Sequence, residues 1–270
     1  MSAGGQLKIT VLGCGSSTGV PRVGNDWGKC NPENPRNRRR RCALLVERFS
    51  DEGSTVVLVD TGPDMREQVL SAGISHVDAV VYTHPHADHI HGIDDIRFFV
   101  MKHKRVMPVY MDEATADRVL DAFGYCFHTP PGSSYPPILA DNRLVAGKSV
   151  TISGKGGDIP VLPFLVHHGD IDALGFRFGP LAYTPDVHDI PVASLEHLQG
   201  LDTWVIDALR HTPHRSHFCL DDALAWLEKI APKQGILTNM HSEIDYDAVQ
   251  SLLPEHVKPA FDGLSFWVDL

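Results

Sequence analysis

The sequence predicts an α/β chain in which two β-sheets pack face to face with helices outside. Three observations predict it. Strand-like apolar runs alternate with helix-period runs along the chain. The alternation falls into two comparable stretches, one on each side of a proline-rich segment. A hydrophobic fraction of 43% over 270 residues also allows a sizeable core. Periodicity alone leaves a doubly wound sheet open. One domain over residues 1–270 is expected.

In the first stretch, Leu7 to Leu12 reads as a strand running into Gly13-Cys14-Gly15-Ser16-Ser17, a tight turn whose glycines supply the backbone angles. Pro21 follows too soon for this to be a dinucleotide fingerprint. Cys42 to Glu47 and Thr55 to Val59 form a hairpin across the polar Ser50 to Ser54. Pro63 to Ala72 has helical periodicity stopped at Gly73, and Val77 to Tyr82 is a short buried strand. Asp94 to Val100 is expected to be helical, Val106 to Tyr110 a strand and Glu113 to Phe123 a helix. His128 to Ile138, rich in proline, is irregular, and His128 to Pro137 is expected to border the pocket. The second stretch has strands near Val150 and at Val161–Val166, Gly175–Phe178 and Leu181–Tyr183. A helix at Val192–Leu198, a strand at Thr203–Ile206, a helix at Leu220–Ile230 and a strand at Gly235–Leu237 complete it.

Composition narrows the function. A net charge of -10 argues against a broad nucleic-acid surface, although a nucleotide-like substrate is compatible with it. Five cysteines without paired spacing fit reduced thiols, so no disulfide is expected. No stretch is apolar for long enough to span a membrane, and no signal peptide is read at the N-terminus, so a cytoplasmic protein is expected. The run Arg36 and Arg38 to Arg41 is either a solvated loop or an anion-attracting rim.

The sixteen histidines carry more information because several are tightly spaced. His84, His86, Asp88 and His89 fall directly after an apolar strand, where one tight loop can aim several donors into one small volume. In that arrangement His84 and His86 hold one divalent ion, and Asp88 and His89 a second.

H-x-H-x-D-H after a strand resembles the metallo-β-lactamase superfamily. The resemblance implies a four-layer αβ/βα sandwich with the metals at one edge of the two sheets. It extends along the chain: Val59-Asp60-Thr61-Gly62 resembles the station whose aspartate supports a metal-bound histidine. His168-Gly169 resembles the histidine after the next sheet, with His167 one position away as the rival. Asp186 in Tyr183-Thr184-Pro185-Asp186 resembles the carboxylate that bridges two ions. At the last metal station, relatives carry threonine then histidine, whereas here Thr238 is followed by Asn239, with His241 two residues further on as the substitute ligand.

The branch most resembled contains the cyclic phosphodiesterase of phosphonate breakdown (PhnP), itself similar to the transfer-RNA 3′-processing nucleases. Gly13 to Ser17 with Gly19-Val20-Pro21, Thr83 to His89, and His217 ahead of the Leu220 helix carry this likeness. The phosphonate enzyme's cysteine-rich zinc loop keeps only Cys30 here, so no structural zinc is expected. The resemblance implies two divalent cations (zinc, manganese or iron) that activate a water. Asp88 and His217 are the catalytic candidates, His217 as proton donor to the leaving group with His211 and His214 as rivals. Thr83 and Asp60 would support the ligands, and Arg215 would contact a phosphate oxygen. The reading is a hydrolase of a small cyclic or nucleotide-like phosphodiester, compatible with a homodimer. The alternatives are a lactone, thioester or β-lactam hydrolase on the same frame, or a metal-binding protein whose catalysis is weakened at Asn239.

Overall fold

The computed structural model describes residues 5–270. Seven strands form the first sheet: β1 (Gln6–Gly13), β2 (Ala43–Ser50), β3 (Gly53–Val59), β4 (Ala79–Val81), β5 (Met107–Met111), β6 (Leu139–Arg143) and β14 (Leu264–Asp269). Its order is β14-β1-β2-β3-β4-β5-β6. The second sheet holds β7 (Val150–Ile152), β8 (Ile159–His168), β9 (Ile171–Phe178), β10 (Leu181–Thr184), β11 (Thr203–Asp207), β12 (Gln234–Thr238) and β13 (Val257–Pro259), in the order β13-β12-β11-β10-β9-β8-β7. Each sheet is part antiparallel and part parallel. In the first, β3 to β6 run parallel. In the second, β10 to β13 do.

Strand alternation explains the layers. On β2, Leu44 and Val46 face the second sheet and join a core containing Val57, Val59, Phe164, Phe176, Tyr183, Val205 and Leu237. Leu45 on the same strand points the other way. It meets the apolar sides of α1 (Met65–Ser71), α3 (Arg97–His103) and α4 (Glu113–Phe123) through Val69, Phe99 and Val119. α5 (Leu220–Ile230) covers the outer face of the second sheet, where a Cβ on Gly235 would stand 2.6 Å from Leu227 Cδ1. The result is helix, sheet, sheet, helix, as the fold expectation required.

α4 and α5 match the sequence reading end to end, and Asp112 caps α4 by accepting from Thr115 N. The helix read at Asp94–Val100 is a 3-10 turn, Ile93–Ile96, followed by α3. Val192–Leu198 is likewise 3-10 rather than α. β6, α6 (Tyr246–Gln250), β13 and β14 were not assigned from sequence. β6 carries Asp141, Asn142 and Arg143 on a sheet edge, and β13 ends in Pro259 on another, so neither shows an apolar signature. The glycines near residue 15 serve a different purpose from the one expected. Only Gly19 in that turn has positive φ, while a Cβ on Gly13 would lie 2.0 Å from Arg41 O. Close approach, not backbone angle, is what requires glycine at position 13.

No helix among the described residues is long and apolar enough to cross a membrane. All five cysteines are buried and free.

Candidate metal centre and cleft

The site lies where the parallel strands of both sheets end. β4 delivers Thr83 and His84, and the short helix α2 (Ala87–Ile90) begins one residue after His86. The Asp60-Thr61-Gly62 loop after β3 is clamped to this segment: Thr61 N donates to His89 O at 2.8 Å, and Gly92 N to Thr61 O at 2.7 Å. A Cβ at Gly62 would sit 2.0 Å from Asp88 O, so only glycine permits that approach.

Asp60 is fully buried and has left-handed backbone, φ 64°. This turns its carboxylate back over the strand end. It accepts from Thr83 N and Thr83 Oγ1, each at 2.8 Å, and from His89 Nδ1 at 2.7 Å. Because the Thr83 hydroxyl hydrogen goes to Asp60, Thr83 Oγ1 accepts from His84 Nδ1, 2.9 Å away. His168 Nδ1 donates to Ser216 O at 2.6 Å. These bonds fix three tautomers and leave the Nε2 lone pairs of His84, His89 and His168 facing inward.

Two clusters result. His84 Nε2 and His168 Nε2 stand 3.0 Å and 3.2 Å from His86 Nδ1. A single proton on His86 can satisfy only one of them. Burial pushes the pKa values of all three imidazoles down, so they are neutral donors. In the second cluster, His89 Nε2 lies 3.2 Å from Asp186 Oδ2 and 3.4 Å from Asp88 Oδ2. Asp186 Oδ2 is buried without a hydrogen-bond partner. A lone pair aimed between two carboxylate oxygens demands positive charge. Without a cation that demand falls on a proton: burial works against the His89 imidazolium, yet Asp186, Asp88 and Asp60 raise its pKa well above the usual value. Burial likewise opposes the Asp186 carboxylate, and the facing imidazoles, His89 foremost, hold it well below the ordinary range. The groups His84, His86, His168 and His84, His89, Asp186 each have ligand atoms within 4.8 Å of one another, and both fit a divalent cation.

The structure therefore gathers His84, His86, Asp88, His89, His168 and Asp186. His168 rather than His167 is inside; His167 faces outward and pairs with Asp172 at 2.7 Å. His217 also joins, forming a third group with His168 and Asp186. Its Nδ1 donates to Asp207 Oδ2 at 2.8 Å. Burial works against its charge, but Asp207 raises its pKa to about 9. Burial in turn lifts Asp207 to about 7 against the pull of His217. Asp207 was not singled out from sequence, although Val205-Ile206-Asp207 repeats the strand-then-aspartate pattern of Val59-Asp60.

Asn239 and His241 sit apart from the two clusters. Asn239 presents its amide nitrogen, not its oxygen, to the centre. Nδ2 donates to Asp207 Oδ1 at 3.2 Å and to Asp186 Oδ1 at 3.4 Å, so it steadies carboxylates rather than offering a ligand. His241 does not swing in to replace it. Met240 N is bonded to Cys14 O, and His241 N to Leu209 O, which carries the imidazole to the cleft wall, with Nδ1 3.6 Å from Glu243 Oε1. His241 belongs to none of the ligand groups.

A cleft of about 320 Å³ opens onto the centre, lined by residues including Ser16 to Thr18, His86, Asp88, His168, Asp186, Arg210, His214, His217 and His241. Residues 128–137 do not line it, contrary to expectation. They lead into the start of β6, whose Leu139 pairs with Met107 at the start of β5, whereas His84 follows the far end of β4 in the same parallel set. Arg215 and His211 are exposed and do not line it either. The arginine run is structural. Arg36 lies over the Tyr246 and Phe261 rings, Arg38 over Trp27, Arg39 is buried, and Arg40 and Arg41 pair with Asp262 and Asp64.

The sequence profile described as the beta-lactamase superfamily domain matches residues 55–240. A solved structure described as a new diphosphatase from the PhnP family is 36% identical, with a TM-score of 0.87 over 98% of each chain. This chain belongs to the metallo-β-lactamase superfamily, in its PhnP branch. Among curated relatives, this PhnP-family chain is 31% identical over 268 residues to an octanoyltransferase of Porphyromonas gingivalis; the match covers 97% of the chain but 52% of that protein. It is 30% identical over 150 residues to ribonuclease Z of Bradyrhizobium sp., covering 53% of the chain and 46% of the relative. The chain thus spans about half the length of these curated relatives or less.

Proposed function

We propose that this PhnP-family chain hydrolyses phosphodiester linkages in small, nucleotide-like molecules with the help of two divalent cations. One observation carries the reading: His217, backed by Asp207, stands on the cleft wall beside the imidazole and carboxylate clusters. His84, His86, His168 and Asp186 would hold one ion, and His89, Asp88 and Asp186 the other. When bound, such ions neutralise charge on phosphoryl oxygens and make water more acidic. The protein's own residues do the rest. Asp60 and Thr83 orient the imidazoles, and Asn239 steadies Asp186. His217 keeps Nε2 for the substrate because Nδ1 is committed to Asp207. As water, giving up one proton to solvent, bonds through its oxygen to phosphorus and the phosphorus–oxygen bond to the leaving group breaks, His217 gives its proton to the departing oxygen and is reprotonated from solvent.

The diphosphatase description of the 36%-identical relative supports phosphoester chemistry. The name octanoyltransferase belongs to a protein about twice as long, of which the match covers 52%. The test is to reconstitute the chain with manganese or zinc and assay bis(p-nitrophenyl) phosphate beside a lactone and a β-lactam. Turnover of the diester alone is expected; turnover of the lactone or the β-lactam with a silent diester would overturn the proposal.

A further inference from the structure

The cleft has two chemically different halves. Its inner half is the cluster of imidazoles and carboxylates. Its outer half is lined by the Ser16-Ser17-Thr18 turn together with Arg210, His214 and His241. Three features of this outer half are unused by the reaction described above.

Arg210 forms no ion pair among the described residues. Its Nε donates to Thr212 O at 3.1 Å and its Nη2 to Pro213 O at 2.8 Å, which fix the guanidinium without neutralising it. Ser16 is 4% exposed, and its Oγ is buried without a partner. Ser16 lies next to the bridge that pairs Gly15 with Met240, Gly19 N closes the turn onto Ser16 O at 2.8 Å, and the backbone N–H groups of Ser17 and Thr18 donate to no other described group. The nearby acids are already engaged or set back. Asp26 is bonded to Arg22 and Gly28 N, and Glu243 Oε1 stands 3.6 Å from His241 Nδ1. A held but unpaired cation sharing a cleft with spare N–H donors and an unpartnered hydroxyl is an arrangement that binds a phosphate group.

We propose that this outer half is a second anion subsite, so that the substrate carries two linked phosphates, as in a diphosphate diester, rather than one. This rests on the phosphodiester reading above. The inner half takes the phosphorus that is attacked, and the outer half takes its neighbour. The arrangement sets substrate choice: a lone diester leaves Arg210 unpaired, and a diphosphate fills both halves.

The test uses the metal-reconstituted full chain, with inorganic pyrophosphate and inorganic phosphate as probes in calorimetric titrations, and metal content measured after each. Pyrophosphate is expected to bind about tenfold or more tightly than phosphate, the scale of one charge-assisted contact. Arg210→Gln should collapse that ratio, and Arg210→Lys should restore part of it. Ser16→Ala should lower it by a smaller factor. Equal affinities in the unaltered protein, or an Arg210→Gln loss that is the same for both probes, would overturn the subsite. Turnover of bis(p-nitrophenyl) phosphate without any pyrophosphate preference sinks this inference alone. A pyrophosphate preference that depends on Arg210, in a chain that cleaves no diester, sinks the phosphodiesterase reading and leaves the subsite standing.

Discussion

The two sheets contribute to the centre in opposite ways. The first supplies His84, His86, Asp88 and His89 from one loop and one helical turn, all within six consecutive residues. The second supplies His168, Asp186, Asp207 and Asn239 from the ends of four strands, β8, β10, β11 and β12, and His217 from the loop that follows β11. A loop can crowd donors because its backbone bends between them. Parallel strand ends deliver about one side chain each, roughly 4.8 Å from the next strand. The first half is therefore a preset cluster, and the second depends on the sheet to bring its residues into register.

Asp186 joins the halves, lying beside His89 from the first and beside His168, His217 and Asn239 from the second. Asp186→Ala should have the largest effect, lowering turnover on the order of a thousandfold or more and emptying at least one ion from the centre. Elemental analysis with steady-state kinetics checks this; full metal content in the variant would mean that the halves hold their ions independently.

The second-sheet dyad comes next. His217 retains its proton up to about pH 9 because Asp207 offsets the cost of burial. A rate that needs this proton falls as pH rises through that value. Asp207→Asn removes the anion while leaving the burial, so the alkaline limb should move to lower pH, and the rate should fall on the order of a hundredfold. An unmoved limb would show that another group donates the proton.

In the first half, Asp60→Asn should weaken metal binding by about 10–100-fold, since Asp60 fixes the tautomer of His89 without reaching the ligand cluster. Competition with a chelator measures it. His241→Ala should produce the smallest change and leave metal stoichiometry as it was; loss of an ion in that variant would return His241 to the ligand set. Deletion of Gly132 to Tyr135 belongs with it, with kinetics altered by less than about twofold, the scale of an exposed surface change.

This asymmetry also governs what could be read from sequence. His84 to His89 is legible because its spacing is itself the geometry. His168 and Asp186 are legible through the order of stations along the chain, and His168 is separated from His167 by strand alternation: on β8 one faces the cluster and the other Asp172. Asp207 is not legible, because a strand ending in aspartate is commonplace and only the β10-β11-β12 register brings it to Asn239 and His217. Asn239 and His241 look interchangeable as donors two residues apart. The structure separates them through the left-handed backbone at Asn239, φ 58°, and the bridge of Met240 to Gly15. The proline-rich segment misleads because its composition marks irregular chain but not the end of the sheet at which that chain lies.

Arg39 lies beneath both rims of the cleft. Its backbone pairs with Val20 in both directions, just past the Ser16-Thr18 turn, while its guanidinium donates to Ile244 O at 2.7 Å, His241 O at 3.4 Å and Asn37 Oδ1 at 3.2 Å. The side chain is 1% exposed and pairs with no carboxylate among the described residues, so its charge is spread over carbonyl dipoles. Residues from both ends of the chain are thereby joined by one planar group, and the width of the mouth is set before any ligand arrives. Much of the entropy that a flexible rim would lose on binding is already lost during folding. In hydrogen exchange, the amides of Val20 and Met240 would open as a single cooperative unit, although 220 positions separate them along the chain.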